Sequence, residues 1–245
     1  MKFTTSVLTI IICATLMSCS RVSTTIKEWK NASTTPLVGH WRFDDSKDVI
    51  ALDSSALKNN GTLVGMPSWE TEGKLNGALF FDGKKDYVTL GKDSFNLTSK
   101  LSVSLWVKVE KTNSDYQTLI QRGRYVYPFM VQLEGSNRIR TAVRTMQRGE
   151  SSDTHYLFSV THLVENRWYH VAITYQNGEY ILYIDGKQES KDVVNGELAV
   201  ERNHTTTIGG QPAVGLSYLQ GWLDDVRIYK IFLTPSQVQA IFKKR

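Results

Sequence analysis

LSVSLWVKVE, residues 101–110, decides the fold class. Leu101, Val103, Leu105, Val107 and Val109 share one parity, while Ser102, Ser104, Lys108 and Glu110 share the other. A period of two is the signature of a strand whose side chains alternate between faces, so one face is expected in a core and the other outside it. RWYHVAITYQNGEYILYIDGK, residues 167–187, then sets two apolar runs around Asn177-Gly178. Two residues that tolerate positive φ between such runs predict an antiparallel hairpin with a type I′ turn. Working outward, Val-, Ile-, Leu- and aromatic-rich runs broken by Gly, Asn or Asp predict strands at 38–44, 61–65, 77–82, 86–91, 117–122, 128–134, 137–146, 154–160, 205–210 and 221–230. So many one-sided strands require two antiparallel sheets packed face to face, because a lone sheet would leave a row of apolar side chains in water. The fold class is therefore all-β, a two-sheet sandwich. Near the end of the chain, Thr234-Pro235-Ser236-Gln237 has an N-cap Thr, Pro at the first helical position and Gln at N3. This capping box predicts a short C-terminal helix that packs Val238, Ile241 and Phe242 onto the sandwich.

The 245 residues, 41% of them hydrophobic and 11% aromatic, suffice for one large β domain or two small ones with a real core. A formal charge of +5, from 29 basic and 24 acidic residues, is a mild excess on a mixed surface and nominates no nucleic-acid partner. Lys2 followed by the apolar run Val7–Leu16 reads as a targeting segment, too short to span a bilayer. Leu16-Met17-Ser18-Cys19 resembles the lipobox of bacterial lipoproteins, with Met17 a less usual occupant of its position. That resemblance implies a signal peptide over 1–18, lipidation of Cys19 and anchoring in a bacterial cell envelope, with the outer membrane as the expected location. An ordinary secretory peptide is the alternative. Cys13 would be lost with the signal peptide, so the mature domain would hold no disulfide and no thiol chemistry. Residues 19–36, rich in Ser, Thr and charge, read as a flexible tether, and 37–245 as the folded domain.

Six pieces in order carry a wider resemblance: GHWRFDD (39–45), LDSSALKNNGTL (52–63), GALFFDGKKDYVTLG (77–91), LSVSLWVK (101–108), RWYHVAITYQNGEYILYIDGK (167–187) and GWLDDVRIYKIFLTPSQV (221–238). Together they resemble the bacterial laminin G-like, or concanavalin A-like lectin/glucanase, jelly-roll domains. The resemblance implies carbohydrate binding, with a protein-interaction or structural subunit of an envelope complex as the alternative. It also implies a structural calcium, because many jelly-roll domains of this superfamily place a ligating Asp where Asp224 stands. Asp44, Asp53, Asn60 and Asp82 are the candidate partners, since calcium takes six to eight oxygen ligands. The competing reading is that these residues cap turns.

A second candidate site lies in the stretch that contains Arg122, Arg124, Arg138, Arg140 and Arg144 against the single acid Glu134. Arg138, Arg140 and Arg144 share a parity and would line one strand face. Planar guanidinium forks suit carboxylate, sulfate or phosphate, so this face is expected to hold a polysaccharide or other glycan of acidic type, with Tyr125, Tyr127 and Trp168 as flat surfaces for sugar rings. A merely solvated face is the bland alternative. The five histidines show no repeated metal-ligand spacing. Glucanases of this fold use a Glu-x-Asp-x-Glu strand, and no such triplet is present. Glu70-Thr71-Glu72, the nearest match, is expected in a loop, so a binder is expected rather than a glycoside hydrolase or polysaccharide lyase.

Overall fold

The computed structural model describes residues 36–244 apart from 46–48, 92–94, 96, 98, 113–115, 125–127, 148–150, 200–203 and 213–216. Cys19, Tyr125 and Tyr127, together with the signal peptide and tether, lie outside the described residues. The chain divides into two units, Met1–Pro36 and Leu37–Arg245, and the strands belong to the second.

In chain order the strands are β1 (Leu37–Trp41), β2 (Ile50–Ala51), β3 (Gly61–Val64), β4 (Ser68–Leu75), β5 (Gly77–Asp82), β6 (Tyr87–Leu90), β7 (Lys100–Val109), β8 (Gln117–Arg122), β9 (Phe129–Leu133) and β10 (Arg138–Met146). They continue as β11 (Asp153–His162), β12 (Trp168–Gln176), β13 (Glu179–Ile184), β14 (Lys187–Asp192), β15 (Glu197–Leu198), β16 (Thr206–Ile208), β17 (Gly210–Gln211), β18 (Ser217–Tyr218) and β19 (Gln220–Tyr229). Helix α1, Pro235–Lys243, follows. An eight-stranded sheet runs β14-β13-β12-β7-β19-β5-β4, with β1 also on β19. A nine-stranded sheet runs β11-β10-β9-β8-β16-β6-β3-β2, with β15 also on β10. All pairings within them are antiparallel, and β17 and β18 form a separate hairpin. The architecture is the all-β jelly-roll sandwich with a short C-terminal helix.

The core lies between the sheets, where Leu101, Val103, Leu105, Val107 and Val109 of β7 meet Ile139 and Val143 of β10, Phe129 and Val131 of β9, and Trp41 of β1, all buried. Burying one such side chain contributes about 1.5–3 kcal/mol, so this layer supplies most of the driving force for folding. The other face of β7 departs from expectation. Ser102, Ser104 and Trp106 are buried as well, because α1 and the segment before it cover the outside of the eight-stranded sheet. Ser102 Oγ donates to the Ile231 carbonyl at 2.7 Å and accepts from Leu233 N–H at 2.9 Å. Val238 and Ile241 close a second apolar cluster with Ala172, Ile181, Tyr183 and Tyr229. The predicted capping box is present: Thr234 accepts from Gln237 N–H, and the Gln237 side chain accepts from Thr234 N–H.

Two local expectations are corrected. Glu70-Thr71-Glu72 belongs to strand β4, not to a loop. The β12–β13 hairpin forms with Gln176 opposite Glu179, but only Gly178 has positive φ (86°), so its turn is not type I′. The turn is held from outside: Gly178 N–H donates to the Val194 carbonyl at 2.8 Å, and Asn177 Oδ1 accepts from Gly196 N–H at 2.9 Å. These tertiary bonds override the local preference for a primed turn.

Candidate functional site

Strand β19 changes partners along one edge. Gln220–Leu223 pair with β5, and Val226–Tyr229 pair with β1. Between them lies a bulge against β7, with Asp225 in the left-handed region at φ 50°. A bulge puts neighbouring residues out of alternation, and Asp224 and Asp225 occupy the gap left between β5 and β1. A cleft of about 790 Å³ opens there, lined among others by His40, Arg42, Lys74, Asp224, Asp225 and Arg227.

The two aspartates are not equivalent. Asp225 Oδ1 meets His40 Nε2 at 2.7 Å and accepts from Arg227 Nη2 at 2.8 Å and Nε at 3.1 Å. Burial pushes the Asp225 carboxyl up, but the His40 hydrogen bond and the Arg227 charge outweigh it and hold the group below the usual carboxylate range. Asp224 Oδ2 accepts from Leu75 N–H at 2.7 Å, whereas its buried Oδ1 has no hydrogen-bond partner among the described residues. Burial drives this carboxyl up to about 7; Leu75 and Lys74 amides oppose the shift, and the charges of Asp225 and Asp44 add to it. Asp44 Oδ1 accepts from Gly77 N–H at 3.0 Å, and its Oδ2 pairs with Arg42 at 2.7 Å. Asp44 and Asp224 thus grip the two sides of one β4–β5 turn, around Asn76 at φ 73°.

The other candidate calcium ligands lie in turns of their own. Asp53 Oδ1 accepts from His40 and Ser55 N–H, and its Oδ2 accepts from Ser55 Oγ and Asn59 N–H, all at 2.7–2.8 Å. Asn60 Oδ1 accepts from Asp53 N–H at 2.9 Å. Asp82 accepts from Lys84 and Lys85 N–H and stands opposite Gln220, four residues before Asp224 and about 13 Å away along the strand. Among the described residues no three His, Cys, Asp or Glu side chains gather as a metal cluster. The five residues do not form one ligand set. Of the five, Asp44 and Asp224 both bind the β4–β5 turn, and Asp224 Oδ1 is left without a partner among the described residues.

The arginine candidates separate as well. Arg138, Arg140 and Arg144 point from β10 to the outer face of the nine-stranded sheet, as their shared parity requires, while Ile139 and Val143 point inward. Arg122 does not join them. It is 1% exposed, with its guanidinium against Thr206 Oγ1 at 3.3 Å and 5.9 Å from the Phe95 ring. It is a core arginine and cannot reach a ligand on this face. Arg124 is exposed in a separate hollow of about 310 Å³ with Tyr87, Thr89, His204, Thr207 and Gln211. Between the two areas the β17–β18 hairpin lies over β8. Ser217 Oγ contacts Thr118 Oγ1 at 2.9 Å, and Thr118, Gln121 and Gln132 are buried though they belong to the outer side. Trp168 lies on the other sheet, in β12, where Lys108 sits 5.2 Å from its ring and 4.0 Å from the ring of Trp222. It is therefore no neighbour of the arginines.

Residues that parity alone missed complete the outer patch. Tyr116, Tyr156 and Phe158 are 47%, 38% and 37% exposed. Tyr156 and Tyr116 stack on Arg140 at 4.5 and 4.8 Å, and Phe158 lies 5.2 Å from Arg138. Alternation in DTHYLFSV (153–160) contained the signal for Tyr156 and Phe158, but only the β10–β11 register sets them beside arginines.

The chain is similar to several known proteins. Domain 4 of the arabinanase AbnA from Geobacillus stearothermophilus, solved in complex with arabinotriose, superposes with a TM-score of 0.65 at 22% identity, covering 85% of this chain and 98% of that one. The binding domain of botulinum neurotoxin DC, solved in complex with SialylT, gives 0.66 at 15% identity, covering 85% of this chain and 51% of that one. At these identities the likeness concerns the fold. Adhesion G-protein coupled receptor V1 of Danio rerio is 25% identical over 172 residues, which is 67% of this chain and 3% of the receptor's length. The profile described as the concanavalin A-like lectin/glucanases superfamily, in its laminin G form, matches residues 82–239, and the chain belongs to that family.

Proposed function

We propose that the chain is a non-catalytic, lectin-like carbohydrate-binding domain, held to a bacterial outer membrane by a lipid on Cys19. The observation that carries the reading is the outer patch of the nine-stranded sheet, where exposed Tyr116, Tyr156 and Phe158 stand beside the β10 arginines. Such rings give flat apolar surfaces with polar edges, a combination suited to sugar rings. The solved neighbours with arabinotriose and SialylT support the ligand class. The cleft carboxylates favour binding over hydrolysis: Asp225 is committed to His40 and Arg227, which leaves Asp224 without a free carboxylate opposed to it in the cleft.

Calcium is proposed at Asp224 and Asp44. Bound there, it would offset the buried Asp224 carboxylate, whose Oδ1 has no partner among the described residues, and brace the β4–β5 turn. A glycan array run with and without calcium tests the function. Wild type is expected to retain a defined set of oligosaccharides, and the Tyr116→Ala, Tyr156→Ala double variant to lose them by tenfold or more. An array with no binder, or binding untouched by the double substitution, overturns the reading.

A further inference from the structure

We propose that the outer patch selects saccharides that carry a carboxylate, and that Arg140 is the group that receives it. This rests on the carbohydrate-binding reading and deepens it by naming the ligand class.

Arg140 stands mid-strand on β10, opposite Gln132 of β9 on one side and Phe158 of β11 on the other. Its guanidinium lies between two rings that arrive from opposite sides of β10. Tyr156 comes from β11 and Tyr116 from the start of β8, at 4.5 and 4.8 Å. Stacking occupies the two faces of a guanidinium and leaves its N–H donors around the rim. Its neighbours on the strand use theirs. Arg138 binds Glu134 through Nη2 at 2.7 Å and Nε at 2.8 Å, and Arg144 Nε donates to Ser152 Oγ at 2.8 Å. No hydrogen bond or ion pair to another described residue engages the Arg140 side chain. Glu134, the acid nearest to this group in the sequence, is bonded to Arg138 and interacts with Arg140 through charge alone.

The result is a partly exposed cation held between two rings, with no described residue bonded to its fork. Two parallel N–H donors match the two oxygens of a carboxylate, and such charge-assisted pairs are about twice as strong as neutral ones. Because the tyrosines already hold the side chain, little rotamer entropy remains to be lost on binding. The rings also distinguish a sugar acid from an acidic peptide. A uronate carries its carboxylate on a rigid ring whose apolar face can lie on Tyr116, Tyr156 or Phe158 while the acid meets Arg140. A peptide carboxylate sits on a flexible stem and leaves those rings uncovered.

Titration calorimetry with tri-galacturonate, its methyl ester and poly-L-glutamate tests the assignment at low salt. Wild type is expected to bind the free acid at least tenfold more tightly than the ester, with the preference shrinking as salt rises. Arg140→Gln, at a partly exposed position whose folding is checked by thermal unfolding, should abolish the preference, so that acid and ester bind this variant equally. Arg140→Lys, which keeps the charge and loses the fork, should recover only part of the preference. Equal binding of acid and ester, or a preference that survives Arg140→Gln, overturns the inference while leaving carbohydrate binding standing. Failure to bind either saccharide overturns the inference, and the glycan array decides separately whether carbohydrate binding stands. Binding of poly-L-glutamate in place of the saccharides assigns the patch to acidic peptides and overturns the inference.

Discussion

The hydroxyl of Tyr180 donates a 2.6 Å hydrogen bond to Oγ1 of Thr141 inside the sandwich, joining β13 of one sheet to β10 of the other. Both residues are fully buried, so water offers neither group a substitute, and an unmet buried hydroxyl costs about 1–3 kcal/mol. Tyr180→Phe should therefore lower stability by about that amount, a fall of roughly 2–10 °C in Tm for a domain of this size. Adding Thr141→Val should restore part of the loss, since both polar ends of the bond are then gone. Denaturant unfolding of the single and double variants measures the coupling. Strictly additive losses would mean that the bond contributes nothing across the core.

A second consequence concerns acid. His170 is 1% exposed, packed against Trp106 and Phe242 at ring distances of 5.2 and 6.0 Å, and neither ring nitrogen has a hydrogen-bond partner among the described residues. Burial is the main cause that pulls its pKa down to about 3, with the Arg227 charge acting in the same direction and Asp225 against it. The folded protein then holds a neutral imidazole where the unfolded chain takes a proton near pH 6.5. Stability from this residue is complete above that pH and is lost as pH falls toward 3, at up to about 1.4 kcal/mol per pH unit. His170→Leu should flatten this limb. Subtracting the stability curves of variant and wild type from pH 7 to pH 4 cancels the carboxylates common to both, and the difference should swing in favour of the variant as pH falls. Parallel curves would show that the buried imidazole does not resist protonation.

The sequence carried the sandwich because apolar alternation in strands such as β7, β10 and β12 is a local property with a single solution for burial. Helix α1 was equally legible from Thr234, Pro235 and Gln237, whose chemistry acts within one turn. What escaped were features set by partners distant in sequence. Ser102 and Ser104 look like solvent-facing residues of β7 until α1 returns to cover them. The Asn177-Gly178 turn is decided by residues 194–196. Arg122 comes first among the arginines of that stretch, yet it points into the protein beside Phe95. Register explains the site as well. The β10 arginines were visible by parity, but Tyr116 reaches Arg140 only because β8 and β9 lie where they do.

The final prediction follows from Asp224 and its unpaired Oδ1. A buried carboxylate beside Asp44 and Asp225, pushed up to about 7 by burial first, is a liability at pH 8 in the absence of a cation and an asset with one bound. A ligand that binds only the folded state stabilises it in proportion to the logarithm of its concentration over Kd, about 2.7 kcal/mol at a hundredfold excess over Kd. Calcium at pH 8 should therefore raise the Tm of wild type by several degrees relative to chelator, and magnesium, which prefers a tighter octahedron, should do so less. Asp224→Asn removes the charge and keeps the shape, and its amide oxygen can take the place of Asp224 Oδ2 as acceptor for Leu75 N–H. Its Tm should no longer respond to calcium, and in chelator it should match or exceed wild type. Asp53→Asn serves as the contrast, because its four accepted hydrogen bonds are structural. It should lose stability equally in calcium and in chelator. A calcium response preserved in Asp224→Asn would remove this pair as the binding site, and the same loss in both buffers for Asp224→Asn would make it a turn anchor like Asp53.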